Sequence, residues 1–147
     1  MQRLSEITRG CDVQFGTSGV RGLVKDLSDR VVFAYADAFL RQVAPSSDRL
    51  VVGHDLRESS IAIASACAAA AKAHNCLIDY VGVLPTPAIA LYAHSMGAPA
   101  IVVTGSHIPF DRNGLKFYSC EGEITKSHET LINEALVDLS PDLTTPL

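Results

Sequence analysis

The chain contains no tryptophan, and only 6% of its residues are aromatic. Its core must therefore be built from aliphatic side chains and alanine. Charge is also sparse: Asp, Glu, Lys and Arg make up 19% of the residues and the net charge is −4. That balance excludes a polybasic face, so it argues against nucleic acid or an anionic membrane as a partner. An anionic ligand would have to be held by local cations acting against the overall sign. No apolar run approaches the roughly 18 residues needed to span a bilayer. Met1 to Gly10 lacks the apolar stretch of a signal peptide. Cys11, Cys67, Cys76 and Cys120 form no Cys-x-x-Cys pair, and no Asn-x-Ser/Thr sequon occurs. Free thiols in a reducing cytoplasmic location are the expectation, with Cys67 acting as a small buried hydrophobe.

What is present is enough apolar material for one domain: 48% of 147 residues. The opening residues look loosely held up to a short strand at Val13-Gln14-Phe15. Three glycines then fall within the seven positions Gly16 to Gly22, a spacing that lets backbone N–H groups converge on an anion. The segment matches neither a Walker loop nor the Gly-x-Gly-x-x-Gly fingerprint. It also reads as a plain glycine turn, although the guanidinium of Arg21 suits phosphate oxygens.

Ser28 is a plausible N-cap for a helix running to Pro45. Leu50 to Gly53 reads as a buried strand. An alanine-rich helix over Ile61 to Ala73 must pack closely on more than one side. Before it, Asp55 and Glu58 have the spacing of a capping box, and Arg57 is either a solvated first-turn residue or a support for a site. Leu77 to Val83 is a strand, and Pro87 suits the first turn of a helix to Met96. Ala100 to Val103 and Lys116 to Tyr118 are further strands, and Glu121-Gly122-Glu123 is a turn. A last helix carries Leu131, Ile132, Ala135, Leu136 and Leu139 on one stripe. Alternating strands and helices predict an α/β domain: a mixed, mostly parallel sheet layered between helices, with one antiparallel edge strand after Gly114. The domain is expected over residues 1–140, with 141–147 as an interdomain linker.

The chemistry concentrates in Thr104 to Phe117. The apolar run Ala100 to Val103 ends in Thr104-Gly105-Ser106-His107, Pro109 and Asn113-Gly114 turn the chain, and Lys116 follows. Hydrolase chemistry at Ser106 is disfavoured: adjacency in sequence makes His107 a poor general base, and the Gly-x-Ser-x-Gly elbow is absent. Phosphoryl transfer fits better, because it needs positioning and charge stabilisation more than covalent assistance. Lys116, Arg21 and His107 could surround such a phosphate. A Ser-His pair in a loop also serves as an ordinary turn, and a lysine after Asn-Gly also extends into solvent.

Thr104-Gly105-Ser106-His107-Ile108-Pro109 with Asn113 to Tyr118 resembles the phosphoserine loop of the α-D-phosphohexomutases. Phe15 to Gly22 resembles that family's N-terminal signature. Val52 to Ser60 and Gly82 to Ala88 are similar to two further family segments, in the family's order. The resemblance implies that Ser106 carries a phosphoryl group and relays it between O6 and O1 of a hexose phosphate. A hexose 1,6-bisphosphate would be the intermediate and activator. It implies acid–base or charge-stabilising roles for Lys116 and His107, and an active-site cation at Arg21. Thr17, Ser18, Gly19, Thr104 and Arg57 would support the phosphate loops. A Mg²⁺ would be bound partly through the Ser106 phosphate, its other ligands lying in an Asp-x-Asp-x-Asp run of a later domain that is not in this sequence. Gly105 and Ile108 depart from the usual Ala and Asn of that loop. Ser18, where glucosamine mutases typically carry Asp, tilts the expectation toward a phosphomannomutase or phosphoglucomutase. The chain then resembles the first domain of a longer enzyme, inactive without the later ones. The alternative is a stand-alone, non-catalytic module that binds a phosphosugar or a partner.

Overall fold

The computed structural model describes all of residues 1–147. In chain order the elements are β1 (Gln2–Arg3), α1 (Leu4–Ile7), β2 (Val13–Phe15), β3 (Gly19–Leu23), a short 3-10 turn (Val24–Asp26), α2 (Asp29–Val43), β4 (Arg49–His54) and α3 (Ser60–Ala73). These are followed by β5 (Leu77–Val83), α4 (Thr86–Ser95), β6 (Ala100–Val103), β7 (Arg112–Ser119), β8 (Gly122–Glu123), α5 (Lys126–Glu134) and β9 (Leu136–Val137).

The main sheet has the order β2-β3-β7-β6-β4-β5, with β8 beside β7. Strand alternation gives each face its own core. Leu50, Val52, Ile101, Val103, Leu115 and Phe117 face one large cluster with the buried sides of α2, α3 and α5. Val51, Ala100, Val102 and Tyr118 face the other way, against Ile89 and Ala93 of α4. The two aromatic rings Phe39 and Phe117 meet at 5.0 Å between centroids on the larger side. The alanines of α3 let it lie close to α2 and to the sheet, as their density requires. Cys67 is fully buried there, and burial pushes its thiol pKa up. All four cysteines are free thiols. Ser28 caps α2 by accepting from the Val31 N–H at 3.4 Å.

The mixed sheet between helices is as expected, but its balance is not. Only β6, β4 and β5 pair in parallel; β2, β3, β7 and β8 pair antiparallel. The cause lies at Asn113-Gly114, which does not turn the chain but sits inside β7, opposite Gly22 and Arg21. Buried Asn113 donates to the Ser59 and Ser60 hydroxyls at 2.9 and 3.0 Å and accepts from the Gly114 N–H at 2.8 Å. A Cβ at Gly114 would come to 2.7 Å from the Val20 carbonyl oxygen, so glycine here permits close strand pairing. β7 is accordingly an interior strand between β3 and β6, not an edge.

Three further expectations are corrected. The opening residues are held: Leu4 is fully buried, and β1 pairs with β9. The final helix stops at Glu134, because Leu136 and Val137 are taken into that strand pair and Ala135 is already extended. Leu131 and Leu136 are exposed and do not share a buried stripe. The turn at position 121 is a hairpin whose returning strand is Gly122–Glu123. Beyond it the chain's end lies along α3, where Thr145 and Ser65 exchange two hydrogen bonds. No helix is long and apolar enough to cross a membrane.

Candidate active site at the carboxyl ends of the parallel strands

The parallel strands β4, β5 and β6 end together; the loops after β4 and β6 carry Asp55–Arg57 and Thr104–Ser106, and β5 leads into Thr86–Pro87 at the start of α4. Such loops are where open α/β sheets bind ligands. A cavity of about 330 Å³ opens there, lined by Thr17, Gly19, Arg21, Thr86, Pro87, Thr104, Ser106 and Lys116 together with Val20 and Leu115. Register explains why its two cations meet. Gly19 lies opposite Lys116 and Arg21 opposite Gly114, so all four share the α4 face of the sheet. Glycine at 114 leaves room for the Arg21 stem, which passes 3.2 Å from where a Cβ would be.

Ser106 is exposed and holds a left-handed backbone, φ 51°. That conformation is costly for a non-glycine residue and persists only where the surroundings impose it. Three contacts impose it. The Ser106 N–H donates to Thr104 Oγ1 at 3.1 Å, the Gly105 N–H donates to Asp55 Oδ2 at 2.9 Å, and the Ser106 carbonyl accepts from Arg57 at 3.2 Å. The Ser106 hydroxyl lies 3.1 Å from His107 Nδ1. Adjacency in sequence therefore does not keep this pair apart, because the left-handed turn swings the two side chains to one side.

Arg57 is the strut of the loop. Its guanidinium donates to the carbonyls of Pro109 (2.8 Å), Arg112 (3.1 Å), Ser106 (3.2 Å) and Ile108 (2.6 Å), and its Nε lies 3.5 Å from Asp55 Oδ2. A planar fork with several donors is suited to converging carbonyls in this way. Asp55 is not half of a capping box: it accepts from the Arg57 N–H at 3.1 Å, from the Ser60 hydroxyl and from Gly105, while Glu58 takes no part. Burial would raise its pKa, but the hydrogen bonds from Ser60, Gly105 and Arg57 outweigh that and hold it below the ordinary value.

On the opposite wall, Lys116 Nζ pairs with Glu123 Oε1 at 3.1 Å and lies 5.8 Å above the Tyr118 ring. Partial burial would lower the ammonium's pKa, but the hydrogen bond to Glu123 and the neighbouring Tyr118 turn the net direction upward. Ser18 also has a left-handed backbone, φ 60°, and its hydroxyl donates to Glu123 Oε2 at 2.8 Å.

Of the nine expected site residues, Thr17, Gly19, Arg21, Thr104, Ser106 and Lys116 line one cavity. Arg57 stands behind it and His107 contacts Ser106, while Ser18 faces Glu123. In the sequence Glu123 carries no mark beyond that of a turn residue, and Asp55 has the spacing of a cap. The signal for Glu123 was the hairpin, which puts it opposite Tyr118 and so on the face of Lys116. A hydroxyl flanked by a lysine and an arginine in a concave site suits a phosphate. Magnesium fits the chain less well. No carboxylate lines the cavity, and no cluster of three His, Cys, Asp or Glu side chains exists. A magnesium site ordinarily takes one or two carboxylates besides phosphate oxygens, and the residues present do not supply them.

A layered domain with a cationic, hydroxyl-bearing pocket over the strand ends is a protein of the α/β class. Within that class, the chain belongs to the phosphoglucomutase/phosphomannomutase family: residues 12–140 match that family's alpha/beta/alpha domain I. It is 48% identical over 136 residues to a phosphomannomutase of Sinorhizobium fredii, covering 88% of this chain and 28% of that protein. It is 50% identical over 122 residues to a phosphomannomutase of Salmonella muenchen, covering 82% of this chain and 26% of that one. A solved structure of a phosphoglucomutase/phosphomannomutase family protein from Burkholderia thailandensis superposes with a TM-score of 0.70 at 30% identity, over 79% of this chain and 28% of that one. The chain thus spans little more than a quarter of the length of these relatives.

Proposed function

We propose that this domain carries the transferable phosphoryl group of a phosphomannomutase or phosphoglucomutase, on the hydroxyl of Ser106. The observation that carries the reading is the cavity in which Ser106, Lys116 and Arg21 converge. Ser106 Oγ donates its phosphoryl group to one hydroxyl of a hexose phosphate. The P–Oγ bond breaks as the sugar O–P bond forms, and the sugar proton passes to a nearby base. The resulting hexose 1,6-bisphosphate reorients and returns its other phosphoryl group to Ser106, so that phosphate moves between O6 and O1. His107, 3.1 Å from Ser106 Oγ, is placed to exchange a proton there. Lys116 and Arg21 offset the charge on the phosphoryl oxygens. Thr17, Ser18, Gly19 and Thr104 shape the phosphate loops, and Arg57 holds the backbone beneath Ser106. Any magnesium would need carboxylate ligands that this domain does not supply. Ser18, in place of an aspartate, favours a mannose or glucose phosphate over a glucosamine phosphate.

The test uses the complete enzyme that carries this domain. After incubation with a hexose 1,6-bisphosphate, peptide mass spectrometry is expected to find phosphate on Ser106, and Ser106→Ala to abolish turnover. An unlabelled Ser106 together with an active Ser106→Ala variant would falsify the reading.

A further inference from the structure

Glu123 belongs to neither the loop nor the cavity lining, yet it touches both halves of the site. β8 pairs Glu123 with Tyr118, and Tyr118 stands two residues from Lys116 on the same face of β7. The hairpin therefore sets the carboxylate diagonally across from the ammonium. Its two oxygens are used separately: Oε1 pairs with Lys116 at 3.1 Å and Oε2 accepts from Ser18 at 2.8 Å. Ser18 is buried, left-handed, and joined to the strand through its carbonyl, which accepts from the Phe117 N–H at 3.0 Å.

We propose that Glu123 is a positioning residue of the phosphoryl-transfer site, one carboxylate that fixes the Lys116 ammonium against the Gly16–Gly19 turn. The inference rests on the role assigned to Lys116 above. An isolated exposed ion pair contributes little to stability, and stability is not the point here. Lys116 has a long, flexible stem, and an untethered ammonium would spread over many rotamers. Glu123 holds it without itself lining the cavity. Both partners favour their charged forms: the carboxylate's pKa is lowered by the Ser18 and Lys116 hydrogen bonds, and the ammonium's is raised. The same carboxylate ties the turn carrying Thr17 and Gly19 to the strand carrying Lys116. Both walls of the cavity are thus referred to one group.

The complete enzyme tests this with Lys116→Met, Glu123→Gln, Glu123→Asp and the Lys116→Met/Glu123→Gln double variant. Glu123→Gln is expected to lower kcat about 10- to 100-fold, the cost of a misplaced group, with KM changed much less. Glu123→Asp is expected to recover part of that loss. In the Lys116→Met background Glu123→Gln should have almost no further effect. If Glu123→Gln folds poorly, Ser18→Ala keeps the ion pair and reads the other contact, with an expected kcat loss of about 2- to 10-fold. Normal turnover of Glu123→Gln, or a loss that simply adds to that of Lys116→Met, overturns the inference. Normal turnover of Lys116→Met instead removes the role of Lys116 itself, whatever Glu123 does.

Discussion

The guanidinium of Arg57 occupies the space that a side chain at position 105 would need: a Cβ on Gly105 would fall on its Nε and Cζ atoms. The glycine in this loop is therefore not simple looseness. It admits the one side chain that gathers four loop carbonyls, and it leaves the Gly105 N–H to Asp55.

From this relationship, Gly105→Ala should push Arg57 off the carbonyls. We expect a loss of roughly 1–3 kcal/mol, as for other overpacked sites, with turnover falling alongside. In an Arg57→Ala background Gly105→Ala should be close to neutral, because the clash is gone. Urea unfolding of the four variants checks this, and additive losses would contradict it.

Replacing Arg57 itself separates charge from shape. Arg57→Lys keeps the cation but not the fork, so it should behave much like Arg57→Ala, costing about 1–2 kcal/mol. The expected signature is a lower kcat, because the strained Ser106 backbone relaxes. Full activity in the lysine variant would show that charge alone suffices.

Lys116→Met should reduce kcat by about 10²- to 10⁴-fold, the range for a proton-transfer or charge-stabilising group, while thermal stability changes by no more than ~1 kcal/mol. Steady-state kinetics paired with a melting curve distinguishes this from a folding defect.

Asp55 predicts an acid response. Its folded pKa lies below the ordinary 3.8, because the ionised carboxylate is the hydrogen-bonded form. Its contribution is present above that ordinary value and is lost as pH falls through the lower, folded one. Asp55→Asn should flatten the acid limb of stability against pH, at a cost of about 1–3 kcal/mol near neutrality, because the amide keeps one oxygen and either Gly105 or Ser60 loses its acceptor. An unaltered acid limb in the variant would assign it to other carboxylates.

Asp37 offers a control far from the site. It is 1% exposed and is held by Arg41 and His74, each at 2.7 Å. Asp37→Ala removes the acceptor of both partly exposed partners and should cost about 1–3 kcal/mol, without changing KM in the protein that remains folded.

Several parts of this molecule were legible from residue order alone. β5 and β6 keep the bounds expected of them, Leu77–Val83 and Ala100–Val103, and α2 starts one residue after its serine cap. The motif around Ser106 was plain, since a buried strand that breaks into Thr-Gly-Ser-His is a local event. The errors share a cause. Asn113-Gly114 has turn chemistry, but the Ser59 and Ser60 hydroxyls and a close-packed neighbouring strand recruit it into β7. Leu136 continues a helical stripe, yet the N-terminal strand claims it. In each case a distant segment outbid a local preference.

Sequence by itself thus determined the layered α/β character, the family and the cluster of Ser106, His107 and Lys116, because each is carried by short-range pattern. Only the tertiary structure decided that most of the sheet's pairings are antiparallel, that Arg57 fills the gap above Gly105, and that Glu123 spans Lys116 and Ser18. Those relations join residues up to 105 positions apart. They depend on strand register and side-chain direction, which arise only once the sheet is assembled.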